Sequence, residues 1–441
     1  MKHKRIITAV FFVALTLMGT LNAKAQDSTT RTITLKEAID LSIKNSKLLR
    51  NNKAKIDEAT AEVQEANDRK LPDFSISGGY FYLPVHPNIS LAGDTAKGGT
   101  PNVKQALYGI ANISYPIFTG GKLNYGIESA KYLAQAAKLD ADDNQQAIIL
   151  NTINAFSNLF KAKATIGIVQ DNLDQSNLRV KDFTNLEKNG LVARNDLLKV
   201  ELQSSNIELV LTDAESNYKM AMVNMNLMLG LPEQTNLAVD TSNLPTVGNV
   251  RTVDEYEQQA LQNRKDLAAL ALRKKAADIG VKSIKSEYYP SIALTGGYVA
   301  LDIPSFVTVT NAVDIGVGVS YSLSSLWKTK TKMAEARAKV QELSANEDML
   351  NDNIRLQINQ AYQNYLVSVK KIDVYKKAVE QATENYRITK NKYDNSLATT
   401  TDLLDADVAQ LQAQLQATNA RADADVAYSK LLQTAGLLTN L

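Results

Sequence analysis

The chain has 441 residues, no cysteine and only two histidines, His3 and His86. Without cysteine there can be no disulfide, no thiolate metal site and no lipid-modified amino-terminal cysteine. Histidine-led catalysis would have to rest on His86, which sits in a Gly/Pro-rich loop and reads as an exposed loop residue. No Gly-rich phosphate cradle precedes a helix and no Ser-centred nucleophile elbow is present. No catalytic residue, metal ligand or cofactor is therefore assigned. A dominant charge is missing too, with 49 basic against 47 acidic residues. Proline is scarce, nine in all, and absent from 117–231 and 305–441. Proline inside a helix costs about 3 kcal/mol, so these tracts are where long helices can persist.

One long apolar run does exist, Ile6 to Met18, preceded by Lys2, His3, Lys4 and Arg5 and followed by Ala23-Lys24-Ala25. It is shorter than the roughly 20 residues that span a bilayer. Residues 1–25 are expected to be a signal peptide cleaved before Gln26. Its removal leaves 45 basic residues (49 − 4) against 47 acidic. That balance gives no reason to expect nucleic acid as a partner.

The remainder aligns with itself. Thr34, Glu37, Asn45, Lys47, Pro72, Gly78, Gly79 and Tyr80 recur 218 positions on (252 − 34) as Thr252, Glu255, Asn263, Lys265, Pro290, Gly296, Gly297 and Tyr298. Further along, Ser114, Tyr115, Lys122, Leu191, Asp196, Leu197, Gly230 and Leu231 recur 206 positions on (320 − 114) as Ser320, Tyr321, Lys328, Leu397, Asp402, Leu403, Gly436 and Leu437. The two offsets differ by one insertion in the first half's loop.

Each half reads helix, strand, strand, very long helix, turn, helix. Thr34-Leu-Lys-Glu37 and Thr252-Val-Asp-Glu255 are capping boxes that open helices running to Pro72 and Pro290. The long helices are expected over Lys122–Lys188 and Lys328–Tyr393, each about 100 Å at 1.5 Å per residue. After the turns, Leu198, Leu202, Ser205 and Leu209 match Leu404, Val408, Leu411 and Leu415, a 4-3-4 spacing that reads as a coiled-coil seam. Strands are expected at about 72–82, 106–117, 290–301 and 313–323. Phe74, Ile76, Gly78, Tyr80 and Tyr82 alternate with Asp73, Ser75, Ser77 and Gly79. Such alternation fits strands with oil on one face and water on the other, and about 10 residues cross a bilayer as a tilted strand. Four strands cannot close a barrel, and an open edge in lipid leaves unpaired N–H and C=O groups. Several chains must therefore share one barrel; two would supply eight strands and three would supply twelve.

The segment Ser114-Tyr-Pro-Ile-Phe-Thr-Gly-Gly-Lys122 resembles the strand-to-helix junction of TolC-like outer membrane efflux proteins. So do the turns Asn189-Gly-Leu-Val-Ala-Arg-Asn-Asp-Leu-Leu198 and Asn395-Ser-Leu-Ala-Thr-Thr-Thr-Asp-Leu-Leu404, and the resemblance covers nearly all of the mature chain. It implies a mainly α chain with a transmembrane β-barrel contribution, and a homotrimer with one twelve-stranded barrel and a coiled-coil α-barrel tunnel. It also implies a place in the bacterial outer membrane, in contact with lipid, with the tunnel in the periplasm. Function follows as a passive exit duct for small molecules or polypeptides, fed by a periplasmic adaptor and an inner-membrane pump. On this reading 26–231 and 252–441 are two efflux repeats, and 232–251 is an equatorial linker. The two turns would be the adaptor-docking tips, carrying Gly190, Leu191, Val192, Ser396, Leu397 and Ala398. Leu191 and Leu397 could instead only staple their own hairpins. Matching backwards from the second tip places Tyr375, Glu384 and Arg387 at the periplasmic aperture, with Lys390 one turn on, which implies a mixed-sign or basic girdle if that face points inward; the alternative is a solvated outer face. The second junction, Ser325-Leu-Trp-Lys328, lacks the Gly-Gly of the first, and Trp327 is expected near the membrane interface. A periplasmic coiled-coil scaffold or adaptor without a pore would explain the helices but not the strands. An adhesin using loop 83–105 could coexist with transport.

Overall fold

A computed structural model describes residues 30–85, 103–240, 250–304 and 306–438. The expected signal peptide, His86 and most of loop 83–105 lie outside the described residues. In chain order the elements are β1 (Arg31–Thr34), α1 (Leu35–Asn45), α2 (Lys47–Asp68), β2 (Asp73–Tyr82), β3 (Gln105–Phe118), α3 (Lys122–Lys188), α4 (Arg194–Leu229) and β4 (Leu237–Asp240). The second half continues with α5 (Val253–Asn263), α6 (Lys265–Lys285), a 3-10 turn (Ser286–Tyr288), β5 (Ser291–Ile303), β6 (Val307–Ser320), α7 (Ser325–Asp394) and α8 (Thr400–Thr434).

Both capping threonines act as the spacing requires. Thr34 Oγ1 accepts the Glu37 N–H at 3.2 Å and Thr252 Oγ1 accepts the Glu255 N–H at 3.4 Å. The helices they open are not continuous to the prolines, however. Each breaks at an extended residue, Ser46 (ψ 120°) and Arg264 (ψ 125°). At each break the same pair of duplicated residues comes close. Gly230, at φ 69°, lies so near Asn45 that a Cβ on it would come within 2.8 Å of the Asn45 Cβ. Asn45 Nδ2 also donates to the Leu229 carbonyl at 2.6 Å. In the second half a Cβ on Gly436 would stand 3.0 Å from the Asn263 carbonyl carbon. The glycine that ends each returning helix thus abuts the break in the helix that began its repeat. At the breaks, Ser46 Oγ caps Leu49 and Arg264 reaches Gln357 and the Thr434 carbonyl.

By contacts the chain divides into two units. The first holds the described residues of 1–45, 152–246 and 374–422. In it β1 and β4 pair in parallel, Arg31 opposite Leu237 through Thr34 opposite Asp240. This small sheet falls partly in the segment expected to be a linker. Its Ile33 and Leu237 join Ala38, Phe156, Leu159, Met225 and Leu229 in a core. A second cluster joins Val169, Leu173 and Ile207 to Leu411, with Leu415 packed against it. Of the expected seam, Leu411 and Leu415 pack within the chain, whereas helix α4 packs there through a different stripe. It buries Leu197, Val200, Ser204, Ile207 and Ala214, while Leu198, Leu202 and Leu209 stay exposed. Two apolar stripes lie side by side on this helix, and the neighbouring helices of one chain cover only the first.

The second unit holds the described residues of 46–151, 247–373 and 423–441. Its helical core gathers Tyr256, Ala260, Ile354, Ile358, Tyr365 and Leu431. Its sheet is antiparallel in the order β2-β3-β5-β6. The last strand runs Val307–Ser320, where alternation suggested 313–323. Asn311, at φ 58°, and a register shift opposite Val299 and Leu301 form a bulge there. A bulge interrupts the period of two, so the first part of the strand does not read as a strand. At the first strand-to-helix junction Gly120 and Gly121 take φ 63° and 89°, and a Cβ on Gly120 would meet the Ser286 carbonyl oxygen at 2.8 Å. The second junction has no positive-φ residue, which explains how it does without the glycine pair.

Candidate functional site

Among the described residues no helix is long and apolar enough to cross a membrane. The sheet is the element whose surface fits one. Its register carries each strand's alternation into a common face. Phe74 lies opposite Ile113, which lies opposite Gly296, which lies opposite Ile315. In the next row toward the helices, Tyr115 pairs with Leu294 and Leu294 with Val317. One face therefore collects Phe74, Ile76, Tyr80, Leu107, Leu294, Val313, Ile315, Val317 and Val319, all exposed, Ile315 at 82%. On the other face the row Ser75, Asn112, Gly297, Asp314 is polar throughout. Exposed apolar area on this scale is not a feature of a water-facing surface. Both edge strands, β2 and β6, have one side without a strand partner among the described residues.

The two tips are built alike. Gly190, at φ 72°, ends α3, and the Leu191 N–H turns back to the Leu186 carbonyl at 2.9 Å. Ser396, at φ 60°, ends α7, and the Leu397 N–H reaches the Lys392 carbonyl at 2.7 Å. This is the Schellman closure, in which glycine usually takes the left-handed position; a serine fills it at the second tip. Val192 packs against the cluster of Phe183, Leu197 and Val200, and Ala398 is half-buried. Leu191 and Leu397 are 71% and 77% exposed, so neither staples its own hairpin. The following helices start differently. Thr399 and Asp402 cap each other, the Thr399 N–H donating to Asp402 Oδ2 at 2.8 Å and the Asp402 N–H to Thr399 Oγ1 at 3.1 Å. That backbone N–H foremost, then the threonine hydroxyl, holds the Asp402 carboxyl below its ordinary value. Asp196, its counterpart, takes Lys199 instead.

Of the aperture residues, Arg387 donates from Nε and Nη2 to Glu384 at 2.8 and 2.7 Å, and Lys390 pairs with Asp394 at 3.1 Å. Arg387 and Lys390 thus each have an acid beside them, so both signs of charge stand together here. The bond to Arg387 pushes the Glu384 carboxyl down from its ordinary range. Tyr375, nine residues earlier (384 − 375), is half-buried and stands apart from that pair.

Sequence reading missed the most buried ion pair of the first unit. Arg179 of α3 donates Nη1 to Asp407 Oδ2 at 2.9 Å and Nη2 to Oδ1 at 3.1 Å, and also reaches the Tyr386 hydroxyl at 3.0 Å. The two charged side chains are 9% and 2% exposed. This tie joins a helix of the first repeat to two helices of the second, and nothing in the spacing of residues so far apart announces it.

Comparison with known proteins gives the family context. A model of the family described as outer membrane efflux protein matches residues 38–231 and 257–437. Outer membrane protein TolC of Escherichia coli is similar at 20% identity over 386 residues, 85% of this chain and 76% of the relative. Among solved structures, the outer membrane protein VceC from Vibrio cholerae matches with a TM-score of 0.74 at 19% identity, over 91% of this chain and 96% of that one. The Campylobacter jejuni CmeC outer membrane channel matches with a TM-score of 0.77 at 17% identity, over 92% and 86%.

Proposed function

The chain belongs to the outer membrane efflux protein family, and we propose that three copies of it close one twelve-stranded barrel and form a passive exit duct. Membership places it in the bacterial outer membrane, in a family of channel type and not enzymatic. The observation that carries the trimer is the sheet: four strands share one apolar face, and both edges lack a strand partner among the described residues. In lipid each unpaired backbone group costs several kcal/mol, so the edges must be joined to other copies. A coiled-coil scaffold has no use for such a face.

The duplication indicates how the helices join. Within one chain Leu411 and Leu415 pack with Val169 and Leu173. Moved by the repeat offset of 206, that pairing becomes Ser205 and Leu209 with Tyr375 and Val379. Leu209 is 66% exposed in the single chain, so its partners are supplied by the neighbouring copy. The chain has no cysteine, so Leu209→Cys with Val379→Cys is a clean test. Disulfide-linked dimers and trimers are expected on oxidation. Purified protein in planar bilayers should conduct ions; cross-linking that returned monomers alone would overturn the trimer.

In this arrangement a periplasmic adaptor of a tripartite system, bound to an inner-membrane pump, docks at the tips through Leu191 and Leu397. Gly190 and Ser396 reverse the chain, and Val192 and Ala398 seat the turns. Glu384 and Arg387 line a mixed-sign aperture in the periplasmic tunnel, and Tyr375 lies in the adjoining seam. Reversal potentials of wild type and Arg387→Glu test this: the variant should shift toward cations, and unchanged selectivity would place the pair outside the pore.

A further inference from the structure

β2 and β5 begin, and β3 and β6 end, at the same end of the sheet, where the helices attach. Further exposed apolar side chains lie at this end. Leu71, Ile117, Tyr289, Leu326 and Trp327 are all exposed, and Trp327 is the chain's only tryptophan. Lysines follow at every junction: Lys70 before β2, Lys122 after β3, Lys282 and Lys285 before β5, and Lys328, Lys330 and Lys332 after β6.

Their electrostatics are informative. Both long helices open without an acid in the first turn. A cation there opposes the helix dipole, which favours anions at the amino terminus. Glu287 offsets two of the seven, taking Lys122 at 3.3 Å and Lys332 at 2.8 Å. Lys328 and Lys330 are exposed, and among the described residues neither makes an ion pair. Trp327 and Lys330 lie three apart and share a helix face. An indole and an uncompensated ammonium side by side, at the rim of an oil-facing band, match a surface that is apolar on one side and anionic on the other.

We propose that this lysine collar binds the phosphodiester headgroups of anionic phospholipid in the leaflet on the helical side of the barrel. The inference rests on the barrel reading above. Charge complementarity and the place of these residues at the end of the apolar sheet single out lipid as the occupant.

The test uses the full-length protein in vesicles of phosphatidylcholine with phosphatidylglycerol, after conductance has shown that the barrel has inserted. Gentle detergent extraction followed by lipid counting should find phosphatidylglycerol enriched at least threefold on the wild type. Lys328→Gln with Lys330→Gln should lose most of that enrichment, and Lys328→Arg with Lys330→Arg should keep it. Lys376→Gln with Lys377→Gln removes the same charge farther along α7 and should behave as wild type. Equal enrichment in the glutamine variant overturns the proposal, as does displacement of the lipid by inorganic phosphate at matching concentration, which would mark a free-anion site. Failure to insert at all would instead strike the barrel reading first and this proposal with it.

Discussion

The helix ends at Leu229–Leu231 and at Lys188–Leu191 close in the same way. In each a glycine takes the left-handed conformation and the next residue, a leucine, returns its N–H to a carbonyl five residues back, at 2.8 Å from Leu231 and 2.9 Å from Leu191. The second repeat copies both, at Leu437 and at Leu397. Yet Leu231 and Leu437 pack against the cores of their units, whereas Leu191 and Leu397 stand in solvent. The cap accounts for a leucine at the first pair, because a hydrophobic contact usually accompanies this closure. It does not account for the second pair. An exposed leucine at both tips is the surface that the proposed adaptor docking would use.

The largest effect expected from breaking this contrast between covered and exposed features concerns charge. Arg179→Met leaves Asp407 buried without its partner and should cost about 3–5 kcal/mol. Arg387→Met breaks a solvent-exposed pair in the same unit and should leave the unfolding midpoint close to that of the wild type. Unfolding of the detergent-solubilised protein in denaturant compares the two, and similar midpoints would remove the distinction.

Next come the leucines. Leu231→Asp or Leu437→Asp places a carboxylate against a core and should destabilise by about 2 kcal/mol each. Leu191→Asp with Leu397→Asp should stay within about 0.5 kcal/mol of wild type. That tip variant should abolish export while trimers still assemble in the outer membrane; normal export would end the docking role.

Smaller is the glycine pair. Gly190→Ala meets nothing within 4 Å, so only the left-handed backbone is strained, by about 1–2 kcal/mol. Gly230→Ala adds a collision with Asn45 and should cost visibly more. The least effect separates the tips themselves. Asp402 is held below its ordinary value, so its capping contribution is complete above the unfolded value of about 3.9. It is lost only as pH falls through the depressed folded value. Proteolysis at residues 395–402 should therefore be the same at pH 7 and pH 5, and should rise only below about pH 4. A rise by pH 5 would mean that Asp402 is not the cap.

Local signals were enough for much of this architecture. The capping threonines, the proline-free tracts and the Gly-Gly junction each act through neighbours in sequence, and the helices and tips lie where they indicate. Alternation located Asp73–Tyr82 well, but failed ahead of Asn311 because a bulge resets the period. The leucines of the tips could be named in advance, with exposure and hairpin stapling both open, since the same cap hides its leucine elsewhere.

Other features needed distant parts of the chain to meet. The breaks at Ser46 and Arg264 lie where Gly230 and Gly436 come close to Asn45 and Asn263. β1 and β4 are four residues each and more than 200 positions apart (237 − 31), too short and too remote to carry a signature. On α4 the stripes beginning at Leu197 and Leu198 are equally apolar, and only the helices packed around it settle which is covered. Periodicity records that a face is apolar and local chemistry records where a helix begins. Which apolar faces meet, and which are left for another molecule, depends on contacts the order of residues does not contain.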